Sequence, residues 1–385
     1  MRSISLGRVQ GIDIKLHPSF VLVLLWVLID WKRLAGFAGG SVAFGLVFVS
    51  LVFGCVLLHE LGHAFMARHY GIRVHDVTLS VIGGVARMNR MPVDPRAEAA
   101  IALAGPVVNV AVAVLLLPWV LLLGVFAGLS TPAEFLREML RPTPVGLVAG
   151  LVAANLMLAA FNLLPAFPMD GGRLLRAALA SGLGRDTGTR VAVFIAYGLA
   201  AFLAIAGVVV LGSISLPLIA VFIALMAHAE GRSVRIEGAL RRLRVGQFAL
   251  WDRGGVSPDQ PLTWALRGGP RDVVVTENGR VVGMLWRNRL LAEIGAGAGG
   301  RAVADVMDRD APTVAADASV YDVHLLMNEL DRWALPVTED GAYRGVFTVD
   351  RLAHVYRQVT PPRIPAGPFS GLDGALDGLL RALAR

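Results

Sequence analysis

The sequence is poor in cysteine and in charge, and these two shortages narrow the classes of protein it can represent. Cys55 is the only cysteine among 385 residues, which excludes a small disulfide-bonded scaffold. Charged residues make up 17% of the chain and hydrophobic residues 55%, whereas soluble domains average about 25% and about 45–50%. The hydrophobicity excludes intrinsic disorder. We therefore expect an integral membrane protein, with much of its surface in contact with the lipid bilayer.

Six apolar runs predict membrane-spanning helices. The hydrocarbon core requires about 20 helical residues. The runs cover residues 17–30, 41–66, 99–127, 146–167, 191–212 and 214–229. The first is short, starts late and lacks a small-residue cleavage site, so we expect a helix rather than a cleaved signal peptide.

Arginine and lysine are unevenly distributed between the loops. Most of those beside the apolar runs lie on the side of the N-terminus, which under the positive-inside rule predicts that both termini are cytoplasmic. This topology explains the net charge of +7, so we expect no nucleic-acid partner. The arginine-rich, lysine-poor composition is typical of a GC-rich bacterial genome. We expect a multi-pass protein of the bacterial plasma membrane.

The chain beyond residue 244 has the composition of a soluble domain and contains an internal repeat. Residues 256–262 match 314–320, and VTENG at 275–279 matches VTEDG at 337–341. Each copy predicts a helix, an apolar strand, a glycine turn, a second strand and a helix. This pattern resembles a tandem pair of CBS domains.

The predicted domains are a membrane domain over residues 1–235, the cytoplasmic α/β CBS pair over 244–357, and a proline-rich linker with a C-terminal helix over 358–385. The last helix is expected to cover the CBS pair. The alternative is an element that lies on the membrane surface or acts as a gate.

The second apolar run contains the pattern H-E-x-x-H at residues 59–63. His59 and His63 lie four residues apart on one helical face, so their imidazoles can bind one metal ion with Glu60 beside its water. Ionisable groups inside an apolar helix are costly and usually functional. The alternative is a pair of helix-end histidines that face lipid headgroups.

A third ligand is expected from the segment FNLLPAFPMDGG at residues 161–172. Catalytic zinc commonly has three protein ligands and one open position. Asp170 follows the fourth run at its cytoplasmic end, and the predicted topology brings it to the level of His59 and His63. The alternative is an aspartate that caps a helix or a turn before the two glycines.

These two motifs together resemble site-2 proteases, which are intramembrane zinc metalloproteases, in the subgroup with C-terminal CBS domains. The resemblance implies that His59, His63 and Asp170 bind Zn²⁺ and that Glu60 is the catalytic base. It also implies that Asn162 holds the substrate carbonyl.

Residues 77–87 are similar to the membrane-associated β-hairpin of that family, which presents an edge to the substrate. The residues implied to bind substrate are Val81, Gly83, Gly84 and Val85. A transmembrane helix must be unwound before cleavage, and a strand edge offers replacement partners for its backbone. The alternative is a hairpin that only plugs the helix bundle.

Three other features of the membrane domain have less definite interpretations. Asn109, in the segment Gly105-Pro-Val-Val-Asn, could hydrogen-bond near the site or join two helices by close packing. Cys55 is expected in the packed core. His69 and His75 are expected at the interface with solvent.

The second CBS copy contains a motif similar to the family's ribose-phosphate signature at residues 345–350. The resemblance implies that Thr348 contacts the phosphate and Asp350 the ribose of an adenine nucleotide such as ATP. The equivalent residues of the first copy are Trp286 and Asn288, which depart from the signature. A purely structural CBS pair is the alternative. CBS pairs usually dimerise, so a homodimer is expected.

The resemblance implies a polytopic α-helical endopeptidase with six transmembrane helices and a β-hairpin. Its substrates would be single-pass transmembrane proteins such as anti-sigma factors, cleaved near the cytoplasmic face in regulated intramembrane proteolysis. The alternative function is a CBS-regulated transporter or channel that uses the His/Asp cluster as an ion pathway.

Overall fold

The computed structural model consists of two compact units, Met1–Arg232 and Ser233–Arg385. The residues that the structure describes are 3–23, 25, 39–80, 83–88, 92, 94–139, 141–212, 214–250, 254–267 and 271–360.

Five helices in the described part of the chain are long and apolar enough to cross a membrane. They are α1 (Gly39–His69), α2 (Pro95–Phe126), α4 (Pro144–Asn162), α6 (Arg185–Ile205, continued by a π-helical turn at Ala206–Val210) and α7 (Ser215–Arg242). They correspond to the last five predicted runs. The predicted first span, at 17–30, falls partly on residues outside the described ranges, which leave out 24 and 26–30.

Two shorter helices connect these spans. Helix α3 (Pro132–Glu138) begins with a capping box between Thr131 and Glu134. Helix α5 (Asp170–Leu183) begins at the aspartate of the second motif and is amphipathic, with its buried face formed by Asp170, Gly171, Gly172, Arg176 and Ala177. The polar start of α5 is therefore inside the unit.

A four-stranded sheet packs against α1. It consists of β1 (Ile4–Val9), β2 (Ile12–Leu16), β3 (Val74–Ser80) and β4 (Gly83–Met88), in that spatial order. Strands β3 and β4 form the predicted antiparallel hairpin, while β2 pairs with β3 in parallel. Ile12 and Val77 are buried in one cluster with Leu61 of α1. The sheet is thus held beside the H-E-x-x-H helix.

The second unit repeats one pattern of helices and strands. The first copy contains α8 (Leu262–Ala265), β5 (Val273–Glu277), β6 (Arg280–Leu285) and α9 (Arg287–Gly295). The second contains β7 (Val314–Ala315), α10 (Val320–Glu329), β8 (Ala334–Glu339), β9 (Ala342–Thr348) and α11 (Val349–Val359). The predicted C-terminal helix falls on residues 361–385, which lie outside the described ranges.

Both hairpins of this unit turn at the predicted positions. Asn278 and Asp340 have φ values of 51°, and the glycines that follow them have φ values of 77° and 80°. Two successive residues with positive φ form the type I′ turn that matches the twist of a two-residue hairpin. The repeated sequence therefore corresponds to a repeated structure.

Candidate metal centre

Helix α1 brings the two histidines together on one buried face. Their Nε2 atoms lie 3.1 Å apart, and each side chain is about 6% exposed. Asp170 Oδ2 lies 3.2 Å from Nε2 of His59 and 3.1 Å from Nε2 of His63. In the described part of the chain, these three residues form the group whose donor atoms could hold a metal ion.

The geometry and the chemistry of this group fit zinc. Ligands about 2.0–2.1 Å from a tetrahedral ion lie about 3.3 Å from each other, close to the separations of these three atoms. Two imidazole nitrogens and one carboxylate oxygen are a common catalytic donor set that leaves the fourth position open. The residues that the sequence predicts as ligands are therefore arranged as a ligand set requires.

Asp170 is free to contact the histidines because it does not cap its own helix. Met169 occupies the N-cap position and makes no side-chain capping bond. A Cβ atom on Gly171 would lie 2.3 Å from the carbonyl oxygen of Leu163, and one on Gly172 would lie 2.6 Å from the carbonyl carbon of Ala166. The two glycines thus allow α5 to begin against the loop that follows α4.

Helix α2 packs closely against the two histidines of the centre. The backbone carbonyl of Ile101 accepts a hydrogen bond of 2.7 Å from Nδ1 of His63, which leaves Nε2 of that ring as the metal-binding nitrogen. A Cβ atom on Gly105 would lie 2.4 Å from Nε2 of His63 and 2.7 Å from Cε1 of His59. Gly105 is therefore required by the close approach of α2 to the two imidazoles.

A buried ion-pair cluster anchors α5. Arg176 is fully buried and pairs with Glu98 of α2 and Glu230 of α7; its Nε donates to Glu98 Oε1 at 2.7 Å. Burial by itself lowers the pKa of Arg176, but the two carboxylates raise it above its usual value. Since Asp170 lies on the same helix, this cluster fixes the aspartate relative to α2 and α7.

The sequence does not predict this role, because Arg176 lies beside an apolar run and is explained there, like the other arginines of the loops, by topology alone. The available signal was Glu98, a carboxylate directly before the apolar run at 99–127, which needs a basic partner when it is buried.

A cleft of about 760 Å³ opens over the centre. Its lining includes the three metal-centre residues, Glu60, Asn162 at the end of α4, and Gly83 and Gly84 of β4. A Cβ atom on Gly84 would lie 2.4 Å from Cγ of Glu60, so the strand backbone lies against the candidate catalytic base. Val81 lies outside the described residues, as does the side chain of Val85.

The remaining candidates of the membrane domain lie as follows. Asn109 lines the cleft and is fully buried. Cys55 is buried and accepts a hydrogen bond of 3.2 Å from Nδ2 of Asn155. His69 and His75 are exposed.

The nucleotide candidates of the second unit lie at the start of α11. Thr348 is its N-cap and accepts a hydrogen bond of 3.3 Å from the backbone nitrogen of Arg351, while Asp350 lies in its first turn. In the first copy, Trp286 is the N-cap of α9 and donates a bond of 2.8 Å to Asp308. The two copies thus present different chemistry at equivalent helix starts.

Comparison with known proteins finds a matching family model in each unit. The model of peptidase family M50 matches residues 47–206, and the CBS domain model matches residues 303–357. Zinc metalloprotease MJ0392 of Methanocaldococcus jannaschii is 31% identical over 350 residues, which are 90% of this chain and 94% of that protein. Rip3 of Mycobacterium tuberculosis is 35% identical over 261 residues, which are 63% of this chain and 62% of that protein.

Among solved structures, the site-2 protease of Methanocaldococcus jannaschii is 32% identical and covers 60% of this chain and 95% of its own, with a TM-score of 0.41.

Proposed function

The chain belongs to peptidase family M50, as a site-2 type zinc metalloprotease with a CBS domain, and from this premise we propose that it cleaves single-pass transmembrane proteins within the membrane, near the cytoplasmic face. The observation that carries the proposal is the convergence of His59, His63 and Asp170 in a cleft that also contains Glu60 and a strand edge. Anti-sigma factors are the substrate class that we expect, with cleavage as a step of regulated intramembrane proteolysis.

In this proposal, His59, His63 and Asp170 hold the zinc ion. Zinc bound there supplies Lewis-acid activation of water and of the scissile carbonyl. The Glu60 carboxylate accepts a proton from the attacking water and passes it to the leaving amine nitrogen. Asn162 lines the same cleft and donates a hydrogen bond from its side-chain amide to the carbonyl oxygen as negative charge develops there.

Strand β4 holds the substrate in an extended conformation. A helical substrate protects its peptide bonds with its own hydrogen bonds, so it must unwind before hydrolysis. β4 is an edge strand of the sheet, and Gly83 and Gly84 line the cleft, so the substrate can pair with this edge as an added strand.

The proposed function is tested by expressing the full chain with a single-pass reporter, as wild type and as Glu60→Gln. We expect fragments of the reporter with the wild type and none with the variant, because the variant keeps the shape of the side chain but cannot accept the proton. Mass mapping of the fragments locates the cut. Cleavage by Glu60→Gln at the wild-type rate, or ion flux through liposomes without cleavage, would contradict the proposal.

We further propose that the second CBS copy binds an adenine nucleotide through Thr348 and Asp350, that both termini lie in the cytoplasm, and that the CBS units form a homodimer. The N-cap position of Thr348 supports the nucleotide assignment, since helix starts favour phosphate groups. Calorimetric titration of ATP should give one site per chain in the wild type and a weaker one in Asp350→Ala. Equal heats of binding in the two proteins would contradict the assignment.

A further inference from the structure

Three residues beside the metal centre carry buried polar atoms with no hydrogen-bond partner among the described residues. These atoms are Nδ1 of His59, both amide atoms of Asn109 and Oδ1 of Asn155. His59 is 5% exposed, and both asparagines are fully buried. A buried polar group without a partner costs about 1–3 kcal/mol, so this concentration of unpaired atoms in one region requires an explanation.

The register between α1 and α2 brings Asn109 close to this region. His63 bonds to the carbonyl of Ile101, and the next turn of α2 places Gly105 between His63 and His59, since a Cβ atom there would lie 2.4 Å from the first ring and 2.7 Å from the second. The two helices therefore run antiparallel here. Residues 101, 105 and 109 share one helical face because they are spaced by four, so we expect Asn109 to face α1 between His59 and Cys55, and it lines the cleft together with His59.

Helix α4 supplies Asn155 at the same level. Cys55 lies one turn before His59 on α1, at the level of Asn109, and it accepts the hydrogen bond of 3.2 Å from Asn155 Nδ2. The same nitrogen donates to the carbonyl of Leu151 at 2.8 Å. The donor capacity of Asn155 is therefore occupied, while its Oδ1 is left to accept a bond.

The unpaired atoms also match in number and type. A histidine that binds metal through Nε2 carries a hydrogen on Nδ1 and needs an acceptor for it. Asn109 offers one acceptor, Oδ1, and one donor group, Nδ2, and Asn155 offers one acceptor. The two donor groups and the two acceptors are therefore equal in number, so two hydrogen bonds would satisfy all four.

We propose that Asn109 is a positioning residue of the metal centre: its Oδ1 accepts the Nδ1 hydrogen of His59, and its Nδ2 donates to Oδ1 of Asn155. The resulting chain of hydrogen bonds connects α1, α2 and α4. For His59 it does what the Ile101 carbonyl does for His63, fixing the orientation of the ring and making Nε2 a stronger ligand. The inference rests on the proposed ligand set.

The test measures the zinc affinity of the full-length, detergent-purified protein by competition with a chromophoric chelator. Loss of an outer hydrogen-bond partner of a metal ligand typically weakens metal binding about 10–100-fold, and we expect this range for Asn109→Leu. Asn109→Asp keeps an acceptor at the same place but loses the donor to Asn155, so its loss of affinity should be smaller than that of Asn109→Leu and close to that of Asn155→Leu. Asn155→Leu should weaken binding in the same direction but less.

Controls separate this inference from packing and from the ligand assignment. Val120→Ala truncates another buried residue of α2, three turns from Asn109, and should leave zinc affinity unchanged. Where Asn109→Leu does not fold, Asn109→Ala removes the same bonds without added volume. Wild-type zinc affinity in Asn109→Leu or in Asn109→Ala would overturn the inference. Equal losses of affinity in Asn109→Asp and Asn109→Leu would also overturn it. Wild-type affinity in His59→Ala would instead show that the ligand set is wrong.

Discussion

Gly105 is the position where one added methyl group should disable the metal centre. In Gly105→Ala the new Cβ atom would lie 2.4 Å from Nε2 of His63 and 2.7 Å from Cε1 of His59. Ordinary contacts between such atoms are about 3.5–4.0 Å, so the overlap is about 1 Å. Metal sites tolerate changes of about 0.2 Å in ligand distances. Either the imidazoles move by several times this tolerance, or α2 withdraws and breaks the bond between His63 and Ile101.

The expected result is a folded protein that binds zinc poorly. Overpacking costs about 1–3 kcal/mol, which a membrane domain of this size should survive, whereas zinc affinity should fall by at least the 10–100-fold typical of a lost outer hydrogen bond. Zinc content by mass spectrometry and chelator competition measure the affinity, and thermal unfolding reports the fold.

Gly54→Ala is the matched control for this variant. Gly54 lies on α1, one turn and a half from His59, and a Cβ atom there would have no neighbour within 4 Å. The control should therefore bind zinc and cleave substrate like the wild type. Wild-type zinc affinity in Gly105→Ala would refute the reasoning, because it would mean that α2 can withdraw without disturbing the ligands.

Three further variants probe the other parts of the cleft. Gly84→Ala places a Cβ atom 2.4 Å from Cγ of Glu60. The variant should lower kcat by up to the 10²–10⁴-fold that a general base contributes, while its zinc content stays normal. Loss of zinc would contradict the expectation that only the base is displaced. Asn162→Ala should slow cleavage by about 10²–10³-fold, as for a lost oxyanion donor, and should also keep zinc, so an unchanged rate would remove that role. Arg176→Leu leaves the carboxylate of Glu98 buried without its partner, which typically costs about 3–5 kcal/mol and should lower the thermal unfolding temperature. Adding Glu98→Leu should restore part of the lost stability. A double variant that is no more stable than Arg176→Leu would argue against the ion pair.

The metal centre was predictable because residue type and spacing determine it. The spacing of His59 and His63 places both on one helical face, and the alternation of spans between the two sides of the membrane brings Asp170 to the same end of the bundle as the histidines. The structure brings the three donor atoms together. No contact beyond the helix period and the topology was needed for this prediction.

The contacts that depend on shape were not predictable in the same way. The sequence suggests close helix packing at the segment that begins with Gly105, but it does not show that this glycine lies against two imidazoles while Gly54 has open space around it. In the sequence, Arg176 cannot be told from the other arginines of the loops. Its partners Glu98 and Glu230 lie 78 and 54 residues away in the chain, so the pairing is not visible there. Such pairings follow from the packing of α2, α5 and α7, which sequence periodicity does not specify.

Strands β1 and β2 were also not predicted, and they decide which edge of the sheet the substrate can use. A hairpin of β3 and β4 alone would have two free edges, both of them candidates for strand addition. In the structure β2 pairs with β3 through the register from Asp13↔Asp76 to Leu16↔Leu79, so β3 is an internal strand. The edges that remain are β1 and β4, and of these β4 lines the cleft. Because Gly84 of β4 lies against Glu60, a strand added at this edge would lie next to the catalytic carboxylate, whereas β1 is separated from β4 by two strands.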